Sequence, residues 1–93
     1  MIIKQLTPGK LVDTMHLKAG VVELFAHHDV GEHSSNGGDE LLVILEGTAL
    51  VRINSEMQHV RAPAAVLVPG GAVHNVTNSG SGSLRYVYVV AKR

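Results

Sequence analysis

Apolar residues along the chain come in short bursts rich in valine, leucine and isoleucine, with glycine or proline breaking them about every eight to twelve residues. Helical spacing is nearly absent, and this rhythm predicts an all-β sandwich or barrel. The first clear strand is "VVELFAHH", Val21–His28. "ELLVILEG", Glu40–Gly47, is a continuous apolar run with an acid near each end, which suits a strand covered on both sides. "TALVRIN", Thr48–Asn54, follows at once, so Gly47 is expected to turn or kink the chain between two pairing strands. Asn54–Glu56 is a plausible hairpin tip leading into Met57–Val60. "AVLVPGG" and "VHNVTN" supply two more short strands, Ser79–Ser83 a flexible turn, and Leu84–Lys92 a long final strand. The first twenty residues are less regular, and "IIKQL" has two open readings: an edge strand, or an arm exchanged between subunits.

Alternation within these runs assigns faces, because successive strand residues point to opposite sides. If Glu40 points inward, so do Leu42 and Ile44, and a similar rule places His74 with Val76. Leu41, Val43 and Leu45 then face outward and are apolar too, which predicts a homodimer or higher oligomer burying that face. In the last strand Leu84, Tyr86, Tyr88 and Val90 alternate with Arg85, Val87 and Val89, so both sides are expected to be covered. Tyr86 and Tyr88 are read as core or dimer-interface residues, with one hydroxyl a candidate to reach a cavity.

Composition narrows the class. Ninety-three residues suit one domain spanning 1–93, and the chain shows neither an internal repeat nor a linker. With no cysteine, disulfides and thiolate zinc sites are excluded. Eight basic and eight acidic residues cancel without clustering, and Phe25, Tyr86 and Tyr88 are the only aromatics, so no nucleic-acid partner is expected. The opening "MIIKQLTPGK" lacks a signal-peptide core, and no apolar run approaches membrane-spanning length. A soluble, cytoplasmic protein with no membrane partner is the expectation.

Two clusters carry the chemistry. The first is "GEHSSNGGDELLVILEG", in which His33 precedes Glu40 by seven residues and Glu40 precedes Gly47 by seven. The second is "PGGAVHNVTN", with Pro69, Gly71, His74 and Asn78. Together they resemble the two motifs of the cupin superfamily, G(X)5HXH(X)3,4E(X)6G and G(X)5PXG(X)2H(X)3N. The match holds at His33, Glu40, Gly47, Pro69, Gly71, His74 and Asn78. It departs at three points: His27 and Pro63 stand where the leading glycines belong, and Ser35 replaces the second histidine of the HXH pair.

The resemblance implies a cupin-like jelly-roll β-barrel, the double-stranded β-helix. Cupins coordinate a divalent metal with three histidines and one glutamate, so by position His33, Glu40 and His74 remain as ligands and Ser35 marks the missing one. Two imidazoles and a carboxylate form the facial-triad set of non-haem iron enzymes. Iron, manganese, nickel and zinc are all candidates. A carboxylate facing an aliphatic interior needs compensation, whether by a metal, a protonated histidine or trapped water. Ser35 is read as holding a metal-bound water or as inert. His16, His27, His28 and His59 are read as surface imidazoles. Asn36–Asp39 is expected to be a mobile loop at the barrel mouth, and Leu42, Ile44, Val66 and Val76 an apolar lining for a compact ligand.

Two functions are compatible with this pattern. One is a metal-dependent enzyme of the dioxygenase, isomerase or decarboxylase type on a small oxygen-rich metabolite, with Glu40 as ligand and base. The other is a non-catalytic module that binds a small molecule.

Overall fold

Eight strands carry most of the chain in the computed structural model, which describes residues 1–93. They are β1 (Gly9–Asp13), β2 (Leu17–Leu24), β3 (Glu40–Glu46), β4 (Thr48–Ile53), β5 (Glu56–Arg61), β6 (Ala64–Val68), β7 (His74–Asn78) and β8 (Leu84–Ala91). All pairings are antiparallel. One sheet has five strands in the order β1-β2-β8-β3-β6 and the other three in the order β5-β4-β7. No helix of the structure is long and apolar enough to cross a membrane. The core lies between the sheets, where Leu42, Ile44, Val68 and Leu84 of one meet Ala49, Val51 and Val76 of the other.

The short apolar runs form strands where the sequence predicts them, but one partnership differs. Strands β3 and β4 are consecutive and yet do not pair: β3 lies between β8 and β6, whereas β4 lies between β5 and β7. Gly47 is therefore a corner between sheets rather than a turn within a hairpin. Its φ of 89° suits glycine, and a β-carbon there would run into the Ser83 carbonyl oxygen. The Pro69–Gly71 turn does the same further along, carrying the chain from β6 in one sheet to β7 in the other. The Asn54–Ser55 turn does close a hairpin, with Asn54 at φ 53°.

The first predicted strand also needs correction. It begins at Leu17 and stops at Leu24, because the chain leaves the large sheet there and turns through His27 at φ 68°. It then runs alongside the free edge of β7 as an irregular ninth ribbon. Backbone bonds from His27, Val30 and His33 amides to Asn78, Val76 and His74 carbonyls hold it, with two more returning from Asn78 and His74. The edge strand near the N-terminus is Gly9–Asp13 rather than "IIKQL", whose residues form no strand.

Asn78, at the end of β7, is fully buried and fully used. Its Nδ2 donates to the carbonyls of Leu24 (2.9 Å) and Gly82 (2.7 Å), and its Oδ1 accepts from the Gly80 amide (2.9 Å). One side chain thus ties β2, β7 and the Ser79–Ser83 turn together, which gives the last residue of the second motif a structural task.

Candidate metal centre

His33 and His74 face each other across the ribbon and β7. They form an isolated bridge and exchange both backbone bonds, His33 N to His74 O at 3.0 Å and His74 N to His33 O at 2.8 Å. Directly opposed residues project to the same side of a sheet. Their rings accordingly lie together on the inner side, centroids 4.2 Å apart and tilted by 54°.

A bulge brings this about. Asp29 bridges Thr77, and Val30 donates to Val76. Between the two bridges the ribbon takes four steps, from Asp29 to His33, while β7 takes three, from Thr77 to His74. Gly31, at φ 88°, absorbs the extra residue. Glu32 is thereby turned outward to pair with Arg52, and His33 is turned in.

Glu40 arrives from the opposite sheet as the first residue of β3. It is 5% exposed, and His74 is 0% exposed. One nitrogen or oxygen from each of His33, Glu40 and His74 lies within 4.8 Å of the others. The structure thus brings together all three residues singled out in the sequence.

The imidazoles are held in one tautomer. His33 Nδ1 lies 2.9 Å from the Gly31 carbonyl oxygen and His74 Nδ1 3.1 Å from that of Ala72. A carbonyl only accepts, so each Nδ1 carries a hydrogen and donates it, leaving Nε2 free to act as ligand. His74 Nε2 lies 3.0 Å from Glu40 Oε1, yet the contact is misaligned for a hydrogen bond, and this wholly buried nitrogen has no partner. An orphaned buried nitrogen beside a buried carboxylate and a second imidazole is a donor set suited to a divalent ion.

These donors open onto a cavity of about 310 Å³. Val22, Val30, Leu42, Val76 and Val90 give it aliphatic walls, and Lys18, Ser34, Ser35, Tyr86 and Tyr88 add polar groups. Tyr86 is 3% exposed. Burial, reinforced by the Glu40 carboxylate and the Tyr88 phenol, pushes its hydroxyl above the ordinary tyrosine range, so it stays protonated.

Several expectations change here. Ser35 does line the cavity, but its hydroxyl donates to the Gly38 carbonyl and so braces the Asn36–Asp39 loop. That loop is further tied down by Asp39, which accepts from the Gly70 amide at 2.8 Å. Val66 faces a second cavity, of about 380 Å³, between β4, β5 and β6, while Ile44 is sealed in the core. His16, His27, His28 and His59 are exposed and none lines the site. Lys18 and Val30 are cavity residues that sequence reasoning missed; the alternation of β2 places Lys18 with Gly20 and Val22, a face visible only once β8 is known as the partner.

Known proteins agree with this architecture. The sequence profile of the Cupin domain family matches residues 20–90. Tetracenomycin polyketide synthase protein TcmJ of Streptomyces glaucescens is 30% identical over 86 residues, 92% of this chain. The chain spans 57% of that relative's length. A conserved protein of unknown function from Streptococcus pyogenes superposes with a TM-score of 0.81 at 28% identity, over 90% of this chain and 71% of that one. A cupin superfamily protein of Desulfitobacterium hafniense superposes with a TM-score of 0.82 at 17% identity, over 100% of this chain and 83% of its own. With its double-stranded β-helix, its paired motifs and this match along most of its length, the chain belongs to the cupin family.

Proposed function

We propose that His33 Nε2, Glu40 and His74 Nε2 hold a divalent transition metal, and that the cavity beside them takes a small oxygen-rich molecule. The observation that carries this reading is the unpartnered, fully buried His74 Nε2 beside Glu40. A bound divalent ion supplies Lewis acidity and open positions for a chelating ligand. The chain's own residues do the rest: the Gly31 and Ala72 carbonyls hold the imidazoles in the ligating tautomer, the valine-rich wall limits water, and Tyr86 offers a protonated hydroxyl. Similarity to a polyketide synthase protein supports a multi-oxygen ligand. Reactions of the dioxygenase, isomerase or decarboxylase type suit such a site, with Glu40 placed to move a proton.

The test is metal content of protein purified without chelator, followed by titration with iron(II), manganese(II), nickel(II) and zinc(II). One ion per chain is the expected result, and neither native metal nor uptake would refute the reading. A second reading, a binding module without turnover, is favoured by Ser35, whose hydroxyl is engaged by Gly38 where a fourth ligand would stand. Metal and ligand binding without any metal-dependent conversion of the ligand would select it.

A further inference from the structure

The inner face of the large sheet is laid out in rows. Across β2, β8 and β3 the register aligns Lys18 with Val90 and Glu40, then Gly20 with Tyr88 and Leu42, then Val22 with Tyr86 and Ile44. Lys18 and Glu40 therefore stand in one row at the cavity mouth, two strand spacings or about 10 Å apart at the backbone. Both line the cavity, Lys18 from β2 and Glu40 from β3, with β8 between them. Asp13, its cross-strand neighbour on β1, feels the Lys18 charge but is bonded by Lys10 and Lys92, so no acid forms an ion pair with Lys18.

Gly20 adds a second donor at that end. A β-carbon there would lie 2.5 Å from the Tyr88 hydroxyl oxygen and 2.6 Å from two ring atoms, so the missing side chain is what lets the phenol lie across β2. The Tyr88 hydroxyl is thereby placed over Gly20, two residues from Lys18 on the same face, and no protein group accepts from it. The cavity thus has two ends, with the His33, Glu40 and His74 donors at one and an ammonium with a hydroxyl at the other.

Charge points the same way. Glu40 and Lys18 cancel, and a divalent ion would leave two positive charges in a valine-lined space, where charge is expensive unless countered. We infer that Lys18, with the Tyr88 hydroxyl beside it, is a specificity-determining residue, and that the ligand is a compact acid with an oxygen chelate at one end and a carboxylate at the other. This inference rests on the metal reading above and names the class of ligand that the site selects.

The probes are catechol and 3,4-dihydroxybenzoate, which offer the same chelate without and with a remote carboxylate. Each is titrated into cobalt(II)-loaded protein at neutral pH under nitrogen and followed by the cobalt visible spectrum. The wild type is expected to bind the carboxylate-bearing probe about tenfold more tightly, the range of a charge-assisted hydrogen bond in a partly desolvated site. Lys18→Met is expected to reduce that preference to about twofold, with catechol affinity and the cobalt spectrum unchanged, and Lys18→Arg to keep it. Equal affinities in the wild type, a preference that survives Lys18→Met, or equal weakening of both probes would overturn the inference while leaving the metal reading intact. Failure to acquire a cobalt spectrum at all would overturn the metal reading and the charge count built on it.

Discussion

Replacing Glu40 by glutamine inverts the order of stability of two proteins according to whether metal is present. Without metal, the wild type keeps a carboxylate only 5% exposed, facing aliphatic walls and a misaligned imidazole nitrogen. The amide has no charge to desolvate and can donate to His74 Nε2, so Glu40→Gln is expected to be more stable by about 1 kcal/mol. With metal at a hundredfold excess over its dissociation constant, the wild type gains about 2.7 kcal/mol. For a chain of this size that is a rise in Tm of roughly 10–20 °C. Losing a direct ligand costs at least about a hundredfold in affinity, the upper end of what outer-shell changes cost. At the same metal concentration the variant then gains only about 0.4 kcal/mol, roughly 2–3 °C. Circular-dichroism melting of both proteins, in chelator and in metal, gives the four values. The variant should melt higher in chelator and lower in metal. A variant less stable than the wild type in chelator, or one with an equal metal-induced shift, would refute the placement of Glu40 as a buried charge waiting for a cation.

Three other outcomes follow from the same packing. Gly20→Ala is expected to tip the Tyr88 ring into the cavity, destabilising by about 1 kcal/mol in chemical denaturation while weakening chelator binding to the metal-loaded protein. The raised pKa of Tyr86 means the folded protein resists its ionisation; that stability is whole below the ordinary value of 10.0 and is lost as pH rises beyond it. Tyr86→Phe should therefore remove part of the alkaline fall in Tm of the metal-free protein, and identical alkaline profiles would count against burial as the cause. Leu41 and Leu45, 40% and 41% exposed on the outer face of β3, flank Val43 and form the expected self-association surface. Light scattering at micromolar concentration should report a dimer that Leu45→Glu dissociates, and a monomeric wild type would remove this expectation.

Much of this was legible from local pattern. Alternation in Glu40–Ile44 puts Glu40, Leu42 and Ile44 on one inner face, as found, and the resemblance of the two motifs marks His33, Glu40 and His74, which converge. What escaped was partnership. An apolar run such as β3 reads alike whether its neighbour is β4 or β8, because hydrophobic periodicity reports burial and not the identity of the strand opposite. For that reason Gly47 reads as a turn between pairing strands although it is a corner between sheets, and Val66 reads as lining the metal cavity although it lines the second one. Nor does polarity reveal the ribbon from His27 to His33, since its backbone bonds are spent on β7 whatever its side chains are. A lone lysine such as Lys18 looks like any solvated charge until the register shows what stands in its row.

The extra residue at Gly31 makes donor identity a matter of counting. Closing the bulge with residue 31 still in the chain, as a β-branched side chain that shuns the positive φ of Gly31 would favour, pairs residue 31 with Asn75 and hands the seat opposite His74 to Glu32, with His33 displaced. The trio would then hold two carboxylates and one imidazole, a harder set that leans towards manganese or magnesium over nickel or zinc. A single substitution at the rim, touching no ligand, is thus a route by which such barrels exchange one ion preference for another.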